Sequence, residues 1–350
     1  MKKIKNFIKK ILFSKNLKVS TFNLIIGALR NIKLINMRNG RVSTKITSFN
    51  VKTLTSDLKK NNIEDIFLDA NSFEQKKDQI EKSSKILRKF GSIIIQNCFS
   101  KEEIESFLNE NKELNPKLNL DNTSDYTNAN KKHIPISKNP FLFDDRITKT
   151  LELSSNYKGD LNENFYLRQP STFAYFNATK ENTRNNWTGG WHVDYPSQFT
   201  VHIILENLKK SETRMQILPM TQSLPFLPGY HYELENSKFD FSKYIVDCYG
   251  PIGTLYIHSG NTLHRNYPVM NTQRFVWSQV YTMDKISFAL NEKDKNELFQ
   301  GSDIFLKNLD KRKQEYVKLL LYSPTKPDVE YYKFENNKYI TANKSDLTYM

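Results

Sequence analysis

Short stretches with an alternating pattern of apolar and polar residues dominate the middle of the chain. In 199–205 (FTVHIIL), apolar side chains occupy every second position, which is the period of a strand with one buried face. Further strand-like stretches are separated by Pro, Gly and Asn turns and lie at 214–218, 253–258 and 274–281. Many short strands at this spacing indicate a sandwich or barrel. We therefore predict a mostly β fold with flanking helices and a double-stranded β-helix core, the jelly roll of cupin-like proteins.

Before this region, the pattern predicts helix, strand and helix in succession. Residues 74–90 have helical periodicity, and Gly91 follows as a suitable stop. The Ile-rich run 92–98 (SIIIQNC) is typical of a buried strand. Ser100 and Glu103 then form a capping box, with Ser at the N-cap and Glu three residues on. These signals predict that a helix begins immediately after Ser100.

The remaining pattern divides the chain into three parts. We predict a basic N-terminal arm with amphipathic helices at 1–56, the β-helix domain at 57–285 and a helical C-terminal extension at 286–350. Within these parts, the polar, Asn-rich stretch 115–150 is read mostly as loop, and 303–321 as a helix.

Positive charge is concentrated in the arm. The whole chain has a formal net charge of +14, and residues 1–56 contain thirteen Lys or Arg residues but no Asp or Glu. The remaining residues hold 39 basic and 38 acidic side chains, so the body does not resemble a domain that binds a specific nucleic acid. In 2–13, the apolar residues recur at the spacing of one helix face, and lysines occupy the opposite face. This helix either lies on an anionic membrane or packs on the body or on a partner.

Composition excludes several classes of protein. Two cysteines, Cys98 and Cys248, are too few for a disulfide framework or a Cys-rich zinc site. No uncharged apolar run approaches the length of a membrane span. With no export signal recognised in the first residues, we expect a cytoplasmic protein, with peripheral membrane contact through 2–13 as the open alternative. The sequence implies no particular oligomeric state.

Candidate metal ligands lie within the strand-rich region. His192 and Asp194 stand two residues apart, so on a strand both side chains point the same way. His264 follows the strand at 253–258. Two histidines and one carboxylate form the facial triad of non-haem Fe(II) oxygenases. Arg274 begins the next strand, and a buried arginine there can bind the carboxylate of a small diacid.

Each of these residues also has an ordinary interpretation. His192 alone suits a surface loop, His264 a hydrogen-bonded core position and Arg274 a simple ion pair. Their combination in this order, each beside an apolar strand, favours the metal site. The two other histidines of this region, His202 and His258, are expected to be strand residues and not ligands.

The surroundings resemble the phytanoyl-CoA dioxygenase family of Fe(II)/2-oxoglutarate oxygenases. The resemblance covers roughly 57–285 and rests on four blocks of sequence. These are LRKFGSIIIQNCFSKEEIESF at 87–107, WHVDYP at 191–196, ETRMQILPMTQS at 212–223, and GTLYIHSGNTLHR with the arginine ten residues past the histidine at 253–274.

Three departures from the family pattern affect the expected pocket. Thr254 follows Gly253 where the family often has Asp, His258 replaces a common aromatic residue, and 219–222 (PMTQ) replaces a Pro-Gly-Ser-His turn. None of them touches the metal residues. They alter the surroundings, so no substrate is carried over from the family.

The resemblance implies a cofactor set and further site residues. Fe(II) would be held by His192, Asp194 and His264, with 2-oxoglutarate as cosubstrate and O2 as oxidant. Arg274 would bind the far carboxylate of 2-oxoglutarate. We expect Asn266 to support that end and Asn177, on the strand before the metal loop, to hold the near end. Both asparagines also suit purely local backbone bonding.

The leading functional hypothesis is a dioxygenase that hydroxylates a C–H bond of a small-molecule or carrier-bound metabolite. Asp194 favours hydroxylation or a related oxidation, because halogenating relatives replace this carboxylate with a small residue. One alternative is a jelly-roll protein that binds metal and ligand without turnover. Others are a membrane-surface protein whose basic arm is the functional part, and a zinc hydrolase.

Overall fold

The structure is a computed structural model. It describes residues 42–45, 48–115, 130–155, 165–178, 189–194, 198–224, 226, 230–234, 239–283, 286–288, 290, 292–323, 331–335 and 338–341. The predicted amphipathic helix at 2–13 lies outside these residues. Within them, no helix has both the length and the apolar character needed to cross a bilayer.

Helices flank a β-rich core. The α-helices are α1 (Ser48–Lys59), α2 (Lys76–Phe90), α3 (Lys101–Glu110), α4 (Asp145–Ser155), α5 (Glu292–Phe299), α6 (Asp303–Lys307) and α7 (Lys311–Leu321). The first eight strands are β1 (Val42–Lys45), β2 (Phe67–Asp69), β3 (Ser92–Gln96), β4 (Asn130–His133), β5 (Tyr166–Leu167), β6 (Thr172–Asn177), β7 (Gln198–Ile204) and β8 (Arg214–Leu218). The others are β9 (Tyr230–Glu233), β10 (Val246–Cys248), β11 (Leu255–Ser259), β12 (Leu263–Tyr267), β13 (Gln273–Thr282), β14 (Ile286–Phe288), β15 (Tyr331–Glu335) and β16 (Lys338–Thr341).

Two sheets form the core of the fold. The larger sheet has the strand order β2-β3-β11-β7-β13-β6-β4, with β5 pairing with β13. The smaller sheet has the order β10-β8-β12. Single β-bridges extend it from His264 to His192 and from Trp191 to Tyr232. From β10 to β13, consecutive strands alternate between the smaller and the larger sheet, which is the arrangement of a double-stranded β-helix. The predicted fold class is therefore confirmed.

The two faces of the larger sheet have different neighbours. On one face, aromatic rings of the strands meet aromatic rings of the helical layer: Phe173 lies 5.2 Å from Phe107 of α3, and Trp277 lies 5.8 Å from Phe141, measured between ring centroids. The other face meets the smaller sheet, because the ring of His258 in β11 lies 4.2 Å from that of His264 in β12. The main apolar core thus lies under the helices, and a separate interior lies between the sheets.

The local signals before the core behave as predicted. Helix α2 ends at Gly91, which has φ +74°, a conformation that favours glycine. The N-cap Ser100 forms the complete capping box with Glu103 at the start of α3. These two caps fix the ends of β3, which lies between the helices and enters the larger sheet beside β11.

Three regions differ from the simple pattern. The stretch expected as loop contains β4 and α4. The expected helix at 303–321 is divided into α6 and α7, because the side chain of Asp310 accepts a hydrogen bond from the Lys313 N–H and starts a new helix. The C-terminal extension also contains strands, since β14, β15 and β16 form a small antiparallel sheet. Aromatic and β-branched residues in β15 and β16 suit strands.

Helix α1 crosses the expected boundary between the arm and the β-helix domain. Its Leu54 and Leu58 are buried in an apolar cluster with Trp191 and Val193, which flank His192. The end of the arm thus packs beneath the segment that carries the candidate metal ligands. The division into three parts remains a prediction.

Gly253, just before β11, packs closely against the backbone of Phe99, just before α3. A substitution at Gly253 tests this contact. The φ of Gly253 is +84°, and a Cβ there would lie 2.0 Å from the backbone oxygen of Phe99. We expect Gly253→Ala to lower the free energy of unfolding by about 3 kcal/mol or more, from backbone strain and steric overlap. Urea denaturation followed by tryptophan fluorescence measures this change.

Gly301→Ala is the matched control. Gly301 has φ +63° but nothing within 4 Å of the added Cβ, so only backbone strain of about 1 kcal/mol is expected. Equal losses in the two variants would contradict the close contact at Gly253.

Candidate metal centre

A backbone bridge brings the first two candidate ligands together. The His192 N–H donates to the His264 carbonyl and the His264 N–H donates to the His192 carbonyl, each over 3.0 Å. This is the hydrogen-bonded pair of an antiparallel ladder, in which opposite side chains lie on the same face. The rings accordingly lie close together, with centroids 4.4 Å apart. Both side chains are buried.

Nδ1 of each imidazole ring is held by a backbone carbonyl. Nδ1 of His192 lies 2.8 Å from the carbonyl oxygen of Gly190, and Nδ1 of His264 lies 2.9 Å from that of Thr262. A carbonyl oxygen can only accept a hydrogen bond, so Nδ1 carries the proton in each neutral ring. The lone pair is therefore on Nε2, which is the arrangement found in metal-binding histidines.

Asp194 completes the cluster. Its N–H donates to the Gly260 carbonyl over 2.7 Å, which attaches the segment to the turn between β11 and β12. Its Oδ2 lies 3.6 Å from Nε2 of His264. One potential ligand atom from each of Asp194, His192 and His264 lies within 4.8 Å of those of the other two. This donor set of two imidazoles and one carboxylate suits a divalent first-row metal such as iron or zinc.

The electrostatic environment favours the ionisation states that a metal requires. Burial, together with the neighbouring His264, lowers the pKa of His192 to about 4. For Asp194, burial alone would raise the pKa, but the charges of His264 and His192 outweigh it and lower the pKa. Near neutral pH the site therefore presents a neutral His192 imidazole and an ionised carboxylate, which are the forms that coordinate metals.

Arg274 lies in the same interior with part of its guanidinium unpaired. The residue is 1% exposed. Its Nη2 donates to Oδ1 of Asn266 over 2.9 Å, and its guanidinium carbon lies 4.1 Å from the centroid of the Phe176 ring. Its Nε and Nη1 have no hydrogen-bond partner among the described residues. A buried cation with unused N–H donors on two nitrogens can bind one carboxylate of a diacid.

The two asparagines predicted to support the cosubstrate have different positions. Asn266 lies two residues after His264 on β12 and contacts Arg274, so the structure brings it into the group. Asn177 does not join it. It directly follows Phe176 on β6, so its side chain leaves the opposite face of the sheet from that of Phe176, and it is exposed. The role of Asn177 at the near end of 2-oxoglutarate therefore stays a prediction, which its place on this face does not support.

The other two histidines lie on strands, as predicted. His202 is in β7 and His258 in β11, and neither belongs to the cluster of potential ligand atoms. Both are nevertheless close to the site, since the His258 ring contacts His264 and the centroid of the His202 ring lies 6.2 Å from that of His258.

Sequence reasoning missed Arg168. It follows β5, is fully buried, and donates through Nη1 to Oε1 of Gln198. Its positive charge also contributes to the lowered pKa of Asp194. An isolated arginine before a strand gives no local signal of this kind, because only the pairing of β5 with the end of β13 brings it to the interior.

Comparisons with known proteins give distant structural similarity alone. No protein-family profile matches the chain, and no curated protein matches it. The crystal structure of the non-heme alpha-ketoglutarate-dependent epimerase SnoN from nogalamycin biosynthesis is 14% identical, with a TM-score of 0.41 over 59% of this chain and 81% of that chain. EctD from S. alaskensis, solved with 2-oxoglutarate and 5-hydroxyectoine, is 17% identical, with a TM-score of 0.41 over 57% of this chain and 75% of that chain. Similarity at this level is too distant to assign an activity.

Proposed function

We propose that the protein is an Fe(II)/2-oxoglutarate-dependent oxygenase related to the phytanoyl-CoA dioxygenase family. It hydroxylates a C–H bond of a small-molecule or carrier-bound metabolite. The observation that carries this proposal is the convergence of His192, Asp194 and His264 in an interior that also contains Arg274. A metal cluster alone would suit a zinc hydrolase equally well. The unpaired Nε and Nη1 of buried Arg274 favour an acidic cosubstrate as well.

Each side chain has a defined role in this proposal. His192 and His264 present Nε2, and Asp194 presents a carboxylate oxygen, to one Fe(II) ion. Arg274 binds the far carboxylate of 2-oxoglutarate, and Asn266 orients the guanidinium. When bound, iron with 2-oxoglutarate and dioxygen supplies the oxidation of the C–H bond. The chain itself positions these groups, with both histidines and Arg274 buried and the Asp194 side chain 33% exposed.

Metal binding is the first requirement. We expect the wild-type protein to bind one equivalent of Co(II), and His264→Ala to weaken binding by at least about 10-fold, because a direct ligand is lost. An anaerobic titration followed by the visible absorption of Co(II) measures the affinity. His133→Ala is the matched control: His133 lies in β4, within 3.8 Å of Asp294, and is not part of the cluster. Unchanged affinity in His264→Ala would remove the metal assignment.

Turnover separates an oxygenase from a binding protein. With Fe(II), 2-oxoglutarate and O2, we expect wild-type protein to form succinate slowly even without substrate. His192→Ala should form none, because the iron loses a ligand. Chromatography measures the amount of succinate formed. Equal succinate formation by wild type and His192→Ala would contradict the assignment of His192 as a metal ligand. Absence of succinate from an iron-loaded wild type would favour a binding protein or a hydrolase.

Arg274→Lys tests the cosubstrate role. Lysine keeps the positive charge but loses the paired N–H groups. We therefore expect the KM for 2-oxoglutarate to rise by about 10- to 100-fold, with an unchanged affinity for Co(II). Initial rates at varied 2-oxoglutarate measure the effect. Arg265→Lys is the control, because Arg265 is the preceding neighbour of Asn266 and its Nε donates to Gln216 on the other face of the smaller sheet. Equal KM values in the two variants would contradict the assignment.

A further inference from the structure

The face of the larger sheet that meets the smaller sheet carries many polar side chains. Strand register identifies them, because residues directly opposite each other share a face. Polar members of this face include Ser92, Thr172, Thr200, His202, Tyr256 and His258, and Arg274 belongs to the same face. The opposite face, under the helices, carries mainly Ile, Val, Phe and Trp side chains. Polar residues are thus concentrated on the face beside the candidate metal centre.

Three of these residues form a row across adjacent strands, which we call the inner polar row. It consists of Ser92 in β3, His258 in β11 and Thr200 in β7. His258 lies opposite both Ser92 and Thr200 in the register. Ser92 and His258 are 0% exposed and Thr200 is 8% exposed. The Ser92 hydroxyl, His258 Nε2 and the Thr200 hydroxyl have no hydrogen-bond partner among the described residues.

Unpaired polar atoms in a buried row are unusual in folded proteins. Most buried polar side-chain atoms have a partner, and leaving one unpaired costs free energy that an apolar residue of similar shape avoids. Three such atoms on adjacent strands would each add this free-energy cost without contributing to the stability of the fold. A ligand that supplies the missing hydrogen bonds accounts for all three.

The row lies at the metal end of the interior and away from Arg274. The His258 ring contacts His264, with centroids 4.2 Å apart. Along β13, Arg274 precedes Val280, the residue opposite Thr200, by six positions, which corresponds to about 20 Å of strand. A cosubstrate that extends from the metal towards Arg274 therefore leaves the row available to a second molecule.

The chemistry of the row defines the group that it can bind. Nδ1 of His258 lies 3.3 Å from the Ser259 carbonyl, which can only accept. In the neutral ring, Nε2 is therefore an acceptor and needs an O–H or N–H donor. The hydroxyls of Ser92 and Thr200 can both donate and accept. A hydroxyl or amino group satisfies this set, whereas an alkyl chain leaves every member unpaired.

We propose that the inner polar row binds a hydroxyl- or amino-bearing part of the substrate, beside the bond that is oxidised. The substrate is then a polar molecule of the polyol or amino-alcohol class and not an alkyl chain. The identification of this ligand as a substrate rests on the proposed oxygenase function; the binding itself does not. A site built to hydrogen-bond a hydroxyl discriminates strongly against analogues that lack one.

Thr200→Val tests whether the hydroxyl is truly unpaired in the ligand-free protein. Valine has nearly the same shape, so we expect the unfolding midpoint to rise by about 1–3 °C. Thr213→Val is the matched control: Thr213 is fully buried, and its hydroxyl donates to the Val269 carbonyl over 3.1 Å. Its midpoint should fall by about 2–4 °C. Scanning calorimetry measures both. An equal fall in Thr200→Val would show a structural hydroxyl and overturn the proposal.

Ligand binding is tested with defined probes on protein loaded with Zn(II) and 2-oxoglutarate, which does not turn over. The polar probes are xylitol and ethanolamine, and the apolar probes are pentan-1-ol and pentanoate. Saturation-transfer NMR should detect a polar probe with wild-type protein, with at least a 10-fold weaker affinity in Thr200→Val and His258→Phe. Preference for the apolar probes, or unchanged affinity in both variants, would overturn the proposal.

The same NMR measurement on metal-free protein separates this proposal from the oxygenase function. We expect the polar probe to bind there as well, because the row contains no metal ligand. Loss of probe binding with intact succinate formation would remove only the inner polar row. Probe binding without succinate formation would remove only the oxygenase.

Discussion

The bridge between His192 and His264 is the interaction on which the site depends. Two backbone hydrogen bonds join a short segment to β12, although the two residues lie far apart in the chain. This pairing places both imidazoles on one face, and Asp194, two residues after His192, follows the same period. Nothing else in the described structure aligns the three side chains so directly. The apolar cluster around Trp191 and Val193 supports the segment from behind, so packing of α1 beneath it also serves the site.

The main apolar core and the candidate site lie on opposite faces of the larger sheet. Aromatic contacts with α3 and Phe141 bury the helix-facing side, and burial of apolar area is the main source of folding free energy. The other face can therefore carry histidines, threonines and an arginine without loss of the core. Strand alternation makes this division possible, because successive residues along β7 and β11 point alternately to the helix-facing side and to the side of the candidate site. Natural proteins accept such local costs where binding requires them.

Local features could be predicted from the sequence, and features that depend on register could not. The capping box at Ser100, the stop at Gly91 and the spacing of His192 and Asp194 are properties of a few neighbouring residues. The face on which Asn177 lies could not be predicted in this way, because a shift of one residue in strand register moves a side chain to the other side of a sheet. The family resemblance placed it on a strand before the metal loop, and only the pairing of β6 with β13 determined its direction. Arg168 was missed for the same reason.

His192, His264 and Arg274 share one structural device: each side chain is oriented by a contact that leaves its functional atom available. Backbone carbonyls hold Nδ1 of His192 and His264, which leaves Nε2 available. Asn266 and the Phe176 ring hold the guanidinium of Arg274, which leaves Nε and Nη1 available. A side chain fixed in this way loses little conformational freedom when a ligand arrives, so more of the interaction energy contributes to affinity. A bound partner that supplies hydrogen bonds to these buried atoms removes the free-energy cost of leaving them unpaired. The same contacts that orient the side chains therefore also favour binding.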